Sequence, residues 1–205
     1  MMIKKFVNFF YVAVMLLAIL ALLSTAAFGL TVPASMVGKA IVNKGITYTL
    51  SIGKYEPVSE LIAVDNLSAK NDTPENAAIS QLSAMMKKDY NWWLTNWTVN
   101  GRFALEQRDK ELSRTPAYWI NRWSLLDGKK VEIRYRADYS RDKQQFVLIG
   151  YGVNGLMIGD KEYESTLVFK NENSKWLATQ DLSSDTVFNN IIKLWHTTDS
   201  SISLP

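Results

Sequence analysis

Five tryptophans stand between positions 92 and 123: Trp92, Trp93, Trp97, Trp119 and Trp123. Aromatic side chains bury the most area per residue. Such a group builds either the helical side of a core or an aromatic wall for an apolar ligand or a partner. On one short helix Trp92 and Trp93 point about 100° apart. They are not expected to face one core together, so one of them should line a pocket mouth or a partner surface. Arginine forms the second group. Arg102, Arg108, Arg114, Arg122, Arg134, Arg136 and Arg141 lie in a stretch, 102–143, with eleven basic and seven acidic residues. That excess reads as a solvated, salt-bridged face, with an acidic partner or lipid headgroups as the alternative.

Other chemistry finds no support in the residue types. The chain has no cysteine, which removes disulfides, thiolate metal sites and a thiol nucleophile. His196 is its one histidine and falls in a polar C-terminal tail. A metal would need carboxylates alone, and no Asp/Glu cluster at ligand spacing is visible. No Ser-His-Asp spacing, phosphate-cradling glycine loop or paired-carboxylate motif stands out. No catalytic residue, metal ligand or cofactor is therefore assigned. The formal net charge is +3, two units of it from Lys4 and Lys5, which leaves no nucleic-acid footprint.

Those two lysines introduce Phe6–Leu23, a run without charge. A basic start followed by a long apolar core marks an export signal or a membrane anchor. A helix over Phe6–Leu30 would reach about 37 Å, enough to span a bilayer. Small residues at Ala27-Phe28-Gly29 and Thr25-Ala26-Ala27 offer cleavage sites. The length of the apolar run, beyond the usual ~7–15 residues, favours an uncut anchor. In either case the lysines stay cytoplasmic and the rest is exported.

The elements that would position the aromatic and basic groups follow. Leu30–Gly45 reads as a tether, Ile46–Ile52 as a short strand and Val58–Val64 as another short element. Asp65–Asp72 is a polar loop. Thr73-Pro74 starts a helix with Ala78, Ile79, Leu82, Met85 and Met86 at helical spacing, ending near Lys87-Lys88. Asp89 caps a second helix over Tyr90–Thr98, closed by Asn100-Gly101. Phe103–Leu112 reads as a loop with a helical option. Thr115-Pro116 opens a third helix, Ala117–Leu126. From Val131 the pattern alternates, apolar Val131, Ile133, Tyr135, Ala137 and Tyr139 against Glu132, Arg134, Arg136 and Asp138, as in a half-buried strand. Strands over Gln145–Val153, Glu162–Lys170 and Lys175–Leu182 follow, with turns between, and Trp176 is expected to be buried. A terminal helix is expected within Thr186–Trp195, and 196–205 as a loose tail.

Helices first and an antiparallel meander second give an α+β fold. The order resembles the cone-shaped superfamily that includes nuclear transport factor 2, ketosteroid isomerase and SnoaL-type cyclases. The resemblance is carried by Met85-Met86-Lys87-Lys88-Asp89-Tyr90-Asn91-Trp92-Trp93, an acidic step between helices followed by aromatic core. It is carried also by Phe169-Lys170-Asn171-Glu172-Asn173-Ser174-Lys175-Trp176, a polar turn before a strand opening on Trp. The chain is also similar to the periplasmic domains of type IV secretion inner-membrane assembly factors, which place one anchor before a like cone. The resemblance implies an acid or base inside the cone, for which Asp138, Tyr135 and Tyr151 are the candidates. Asp138 and Tyr135 have opposite parity, so only one can point inward unless a bulge intervenes. Asp138 reads as a solvent-facing partner of a nearby arginine and Tyr135 as a packed or pocket side chain.

The expected architecture is a transmembrane or signal helix (1–30), a tether (31–72), a cone of three helices packed on a curved antiparallel sheet (73–195) and the tail. The expected placement is the inner membrane with the domain in the periplasm. The expected role is a non-catalytic binding or assembly module of the envelope. It would engage envelope proteins through Trp92, Trp93, Trp97, Trp119, Trp123, Tyr135, Arg134 and Arg136, and the membrane through residues 6–30. A homo-oligomer is left open. The alternative is a small-molecule-binding cone with isomerase, lyase or hydrolase activity.

Overall fold

The protein is described by a computed structural model, which covers residues 30–43 and 45–189. It is α+β. Strands β1 (Val37–Asn43) and β2 (Ile46–Glu60) come first, then helices α1 (Pro74–Met86), α2 (Tyr90–Thr95), α3 (Val99–Glu111) and α4 (Pro116–Trp123). Strands β3 (Val131–Arg141), β4 (Gln144–Ile158), β5 (Lys161–Glu172) and β6 (Lys175–Ala178) complete the sequence. All six strands pair antiparallel in chain order, α1–α4 all belong to the β2–β3 connection, and a further helical turn stands at 186–189 after β6, within the expected terminal helix.

This corrects the expected architecture in three places. The tether pairs as the first hairpin of the main sheet. Val99–Glu111 is a helix where a loop with a helical option was expected, so four α-helices stand between β2 and β3 instead of three. Among the described residues no helix is long and apolar enough to cross a membrane. The span expected over 6–30 lies outside the described residues except for Leu30, as do His196 and the tail.

Local chemistry explains the helix ends. Thr73 accepts from the Asn76 N–H at 3.1 Å, with Pro74 at the first helical position. Asp89 accepts from Trp92 N–H at 2.9 Å and starts α2. Thr98 accepts from Gly101 N–H at 3.0 Å and starts α3, so Gly101 lies inside a helix and does not close one. Thr115 makes no side-chain cap bond to α4. Asn173 and Ser174 both take positive φ, giving the tight turn between β5 and β6. Trp176 is half-buried there, and β6 ends at Ala178, short of the expected Leu182.

The register slips between Ile133 and Tyr135, leaving Arg134 as the extra residue of a bulge. The slip reverses parity. Val131 and Ile133 therefore share a face with Arg136 and Asp138, whereas Glu132 and Arg134 share the other face with Tyr135, Ala137 and Tyr139. The bulge precedes Tyr135, so Tyr135 and Asp138 stay on opposite faces. The helices cover the first face. Segment 179–189 covers part of the second, where Leu182 and Phe188 close a core of Leu50, Ala137, Tyr139, Phe146 and Leu148. Gly150 and Gly152 lie on that second face because Tyr135 and Arg134 lie flat across them, and a Cβ at either would overlap those side chains.

Candidate functional site

The tryptophans form one structure. Trp93 is central, with ring centroids 5.2 Å from Trp119, 5.2 Å from Trp123, 5.4 Å from Trp97 and 5.7 Å from Tyr90. Trp92, Trp93 and Trp123 are buried, and Trp97 and Trp119 are half-buried. The expectation that Trp92 or Trp93 would be exposed is thus corrected. Helix α2 packs against both α1 and α4, so side chains about 100° apart each find a core. The indole N–H groups are held internally. Trp92 donates to Ser80 at 3.2 Å and Trp119 to Asp109 at 2.7 Å. With the Gln81 amide oriented by its neighbours, its oxygen accepts from Trp93 at 2.7 Å and Trp97 at 3.0 Å.

A second constellation joins the first turn of α1 to the sheet. Glu75 is only 2 % exposed. Its Oε1 accepts from Arg136 Nη1 at 2.6 Å and from the Tyr55 hydroxyl at 3.0 Å. Arg136 also donates through Nε to Asp138 Oδ1 at 2.7 Å. Burial pulls the Arg136 guanidinium down, but Asp138 and Glu75 more than offset this and hold it above its ordinary value. Burial and the Glu75 carboxylate push the Tyr55 hydroxyl up. Asp138 therefore pairs with a neighbouring arginine, as its type suggested. Arg136 departs from the solvated face expected of it: its side chain is 11 % exposed and links Glu75 to Asp138, and sequence reasoning gave Glu75 and Tyr55 no role at all.

On the opposite face Arg134 contacts Glu132, Glu162 and Glu164. Burial lowers the affinity of Arg134 for its proton, yet the three carboxylates raise it on balance, and Arg134 in turn holds Glu162 below the usual carboxylate range. Beside it Tyr135, with its hydroxyl against Thr166, is pushed up to about 12 by burial. Tyr151 is buried against Tyr163, ring centroids 6.2 Å apart, and its hydroxyl is also pushed up, chiefly by burial. At the end of the sheet Asp185 accepts from Tyr139 at 3.1 Å and Arg141 at 3.2 Å, and it caps the turn at Phe188 through its N–H at 3.0 Å. The structure thus distributes the expected site residues over three places. The tryptophans lie among the helices, Arg136 under α1, and Arg134 with Tyr135 on the other face.

The raised tyrosines make a prediction. Tyr55, Tyr90, Tyr135, Tyr139 and Tyr151 all stay protonated further into alkali than free tyrosine, with burial the largest cause in each. A folded-state value above the unfolded one contributes stability that is complete below the unfolded value and lost as pH rises through the folded one. For Tyr135, moving from 10.0 to about 12, this is about 3 kcal/mol lost between pH ~10 and ~12. Absorbance titration should show these hydroxyls ionising together with unfolding. Ionisation near pH 10 with an intact fold would contradict the burial described.

No protein-family model, no curated protein and no solved structure matches the chain.

Proposed function

We propose that this chain is exported and that its folded domain works by binding, as an accessory or assembly module of the bacterial cell envelope. The observation that carries the reading is the fate of the buried carboxylates. Glu75 is held by Arg136 and Tyr55, Asp185 by Tyr139 and Arg141, and Asp109 by Trp119. A general base must be within reach of a substrate proton, and these groups face the interior, where Glu75 ties α1 to the sheet, Asp185 ties segment 179–189 to β3 and Asp109 ties α3 to α4. The basic start and apolar run before Leu23 support export to the periplasm. The superfamily resemblance, carried by the acidic step at Asp89 and the hairpin at Asn171–Ser174, belongs to the same proposal.

The partner surface we assign is the outer side of α3. Val99 and Phe103, one turn apart, are 69 % and 61 % exposed. Arg102, Glu106 and Lys110 are exposed on the same side of the helix. An apolar pair with charges of both signs beside it suits an envelope protein with a mixed polar rim. Phe103→Glu in the full-length chain should leave the melting curve unchanged. It should reduce envelope proteins captured from detergent-solubilised cells by about tenfold, equivalent to ~1.4 kcal/mol. An unchanged captured set would sink this surface.

One observation favours the second reading, a small-molecule-binding domain with isomerase, lyase or hydrolase activity. Among the described residues Asp109 Oδ1 is buried without a hydrogen-bond partner, beside the Trp119 indole. A donor group on an apolar ligand would satisfy it.

A further inference from the structure

Among the described residues three carboxylates are buried: Glu75, Asp109 and Asp185. Two of them meet a cation, Glu75 with Arg136 and Asp185 with Arg141. Asp109 meets none among the described residues. Its Oδ2 accepts from Trp119 Nε1 at 2.7 Å, and its Oδ1 has no hydrogen-bond partner. Asp109 is only 6 % exposed, and a charge taken so far out of water is ordinarily paired.

The surroundings say what kind of partner is missing. Asp109 lies in the last turn of α3, where the helix carbonyls add partial negative charge and favour a cation. Glu106, one turn earlier on the same side of the helix, is exposed and adds a second carboxylate. The walls are aromatic. Tyr90 and Trp119 are both half-buried, and both lie against Trp93 and Trp123. Burial raises the Tyr90 hydroxyl, and the charges of Asp109 and Glu106 raise it further, so this ring stands within the field of both carboxylates. Ring faces attract cations, and this cluster already holds one. The Arg114 guanidinium lies over the rings of Tyr118, at 4.7 Å, and Trp119, at 5.8 Å, and makes no ion pair with Asp109.

We propose that Asp109 anchors a site for a small primary alkylammonium ion, with the ammonium on Oδ1 and the alkyl chain along Tyr90 and Trp119. This rests on the small-molecule reading given above and names its ligand class, with no catalysis required. The donor set selects the class. A hard metal ion takes six or more oxygens, and no group of three possible metal-ligating side chains stands among the described residues. A quaternary ammonium has no N–H to give Oδ1, and an alcohol gives an O–H but leaves the charge unpaired.

The test sets n-butylammonium chloride against tetramethylammonium chloride and n-butanol, each added to the full-length chain in detergent. Butylammonium alone should raise the melting temperature saturably, with a midpoint in the millimolar range. The indole N–H signal of Trp119, followed by NMR, should shift with the same midpoint. Asp109→Asn keeps an acceptor for Trp119 and removes the charge. It should melt no lower than wild type in amine-free buffer, because a buried charge without a counter-ion has gone, and it should weaken butylammonium by about tenfold or more. An equal response to butanol or to tetramethylammonium would overturn the primary-ammonium site while leaving the small-molecule reading in place. No response to any of the three would overturn the site and remove that reading with it. A marked loss of stability in Asp109→Asn without amine would show that the carboxylate is paired inside the fold, and would overturn the proposal as well.

Discussion

Arg136→Ala is expected to destabilise the domain by about 3–5 kcal/mol, the cost of leaving a buried charge without its partner. Glu75 sits in the first turn of α1, 2 % exposed, and Arg136 is the cation that meets it, at 2.6 Å. With the guanidinium gone, the carboxylate keeps only the Tyr55 hydroxyl and the helix N-terminus, a dipole worth about 0.3–1 kcal/mol in ordinary settings. Asp138 loses its partner too, but it is 43 % exposed and water replaces the guanidinium there. Glu75→Gln should cost less, about 1–3 kcal/mol, because the amide fills the same space and still accepts from Tyr55. A double-mutant cycle by urea melts separates the pair from its surroundings. An Arg136→Ala loss below about 1 kcal/mol, against the range above, would show that the pair is not buried as described.

Trp93→Ala should remove a comparable 3–5 kcal/mol, as for other buried large aromatics. Its ring touches four other aromatic rings, and its N–H is one of two indole donors held by Gln81, which is itself fully buried. Truncation opens a cavity at the junction of α2 and α4 and strands part of the Gln81 amide. Trp93→Phe keeps an aromatic ring and removes the N–H, and should cost about 1–3 kcal/mol. Melts followed by near-ultraviolet dichroism read both the stability and the aromatic packing. A surface tryptophan would move neither signal, and that result would return Trp93 to the partner-binding role its spacing first suggested.

What the sequence made legible was local. The caps at Thr73 and Asp89 act through atoms three residues away, and both are where the residue types placed them. The alternation of β3 and the turns at Asp142 and Asn173 belong to the same class. Helix α3 escaped because its buried stripe is Gly101, Leu105 and Asp109, one apolar residue of useful size, so no hydrophobic period exists to be read. Strand β2 looked short because Gly53 and Pro57 interrupt it. It continues through them with a register shift between Lys54 and Ser59, where four residues of β2 oppose one of β3 and a missing donor is tolerated.

The site was less legible than the fold. Strict alternation put Arg134, Arg136, Glu132 and Asp138 on one solvated face. The bulge at Arg134 divides them between two faces, and one end of α1 covers Arg136. Glu75 and Arg136 are 61 positions apart and come from different elements. Neither carries a local signal of the other: a glutamate in the first turn of a helix ordinarily serves the dipole from the surface. The tryptophans carried a correct signal of density and a wrong one of direction, since a six-residue helix between two others has core on more than one side.

In the proposed function the ionisable groups of this domain hold its structure and its surface does the binding. The most direct test is Asp138→Asn in the full-length chain, with melting and capture of envelope proteins measured on the same preparation. Asp138 touches Arg136 and is the most accessible carboxylate of that network. The expected result is a melting curve within about 1 kcal/mol of wild type and an undiminished set of captured proteins. An unchanged melting curve with the function lost would assign Asp138 to chemistry and would contradict the binding-module reading.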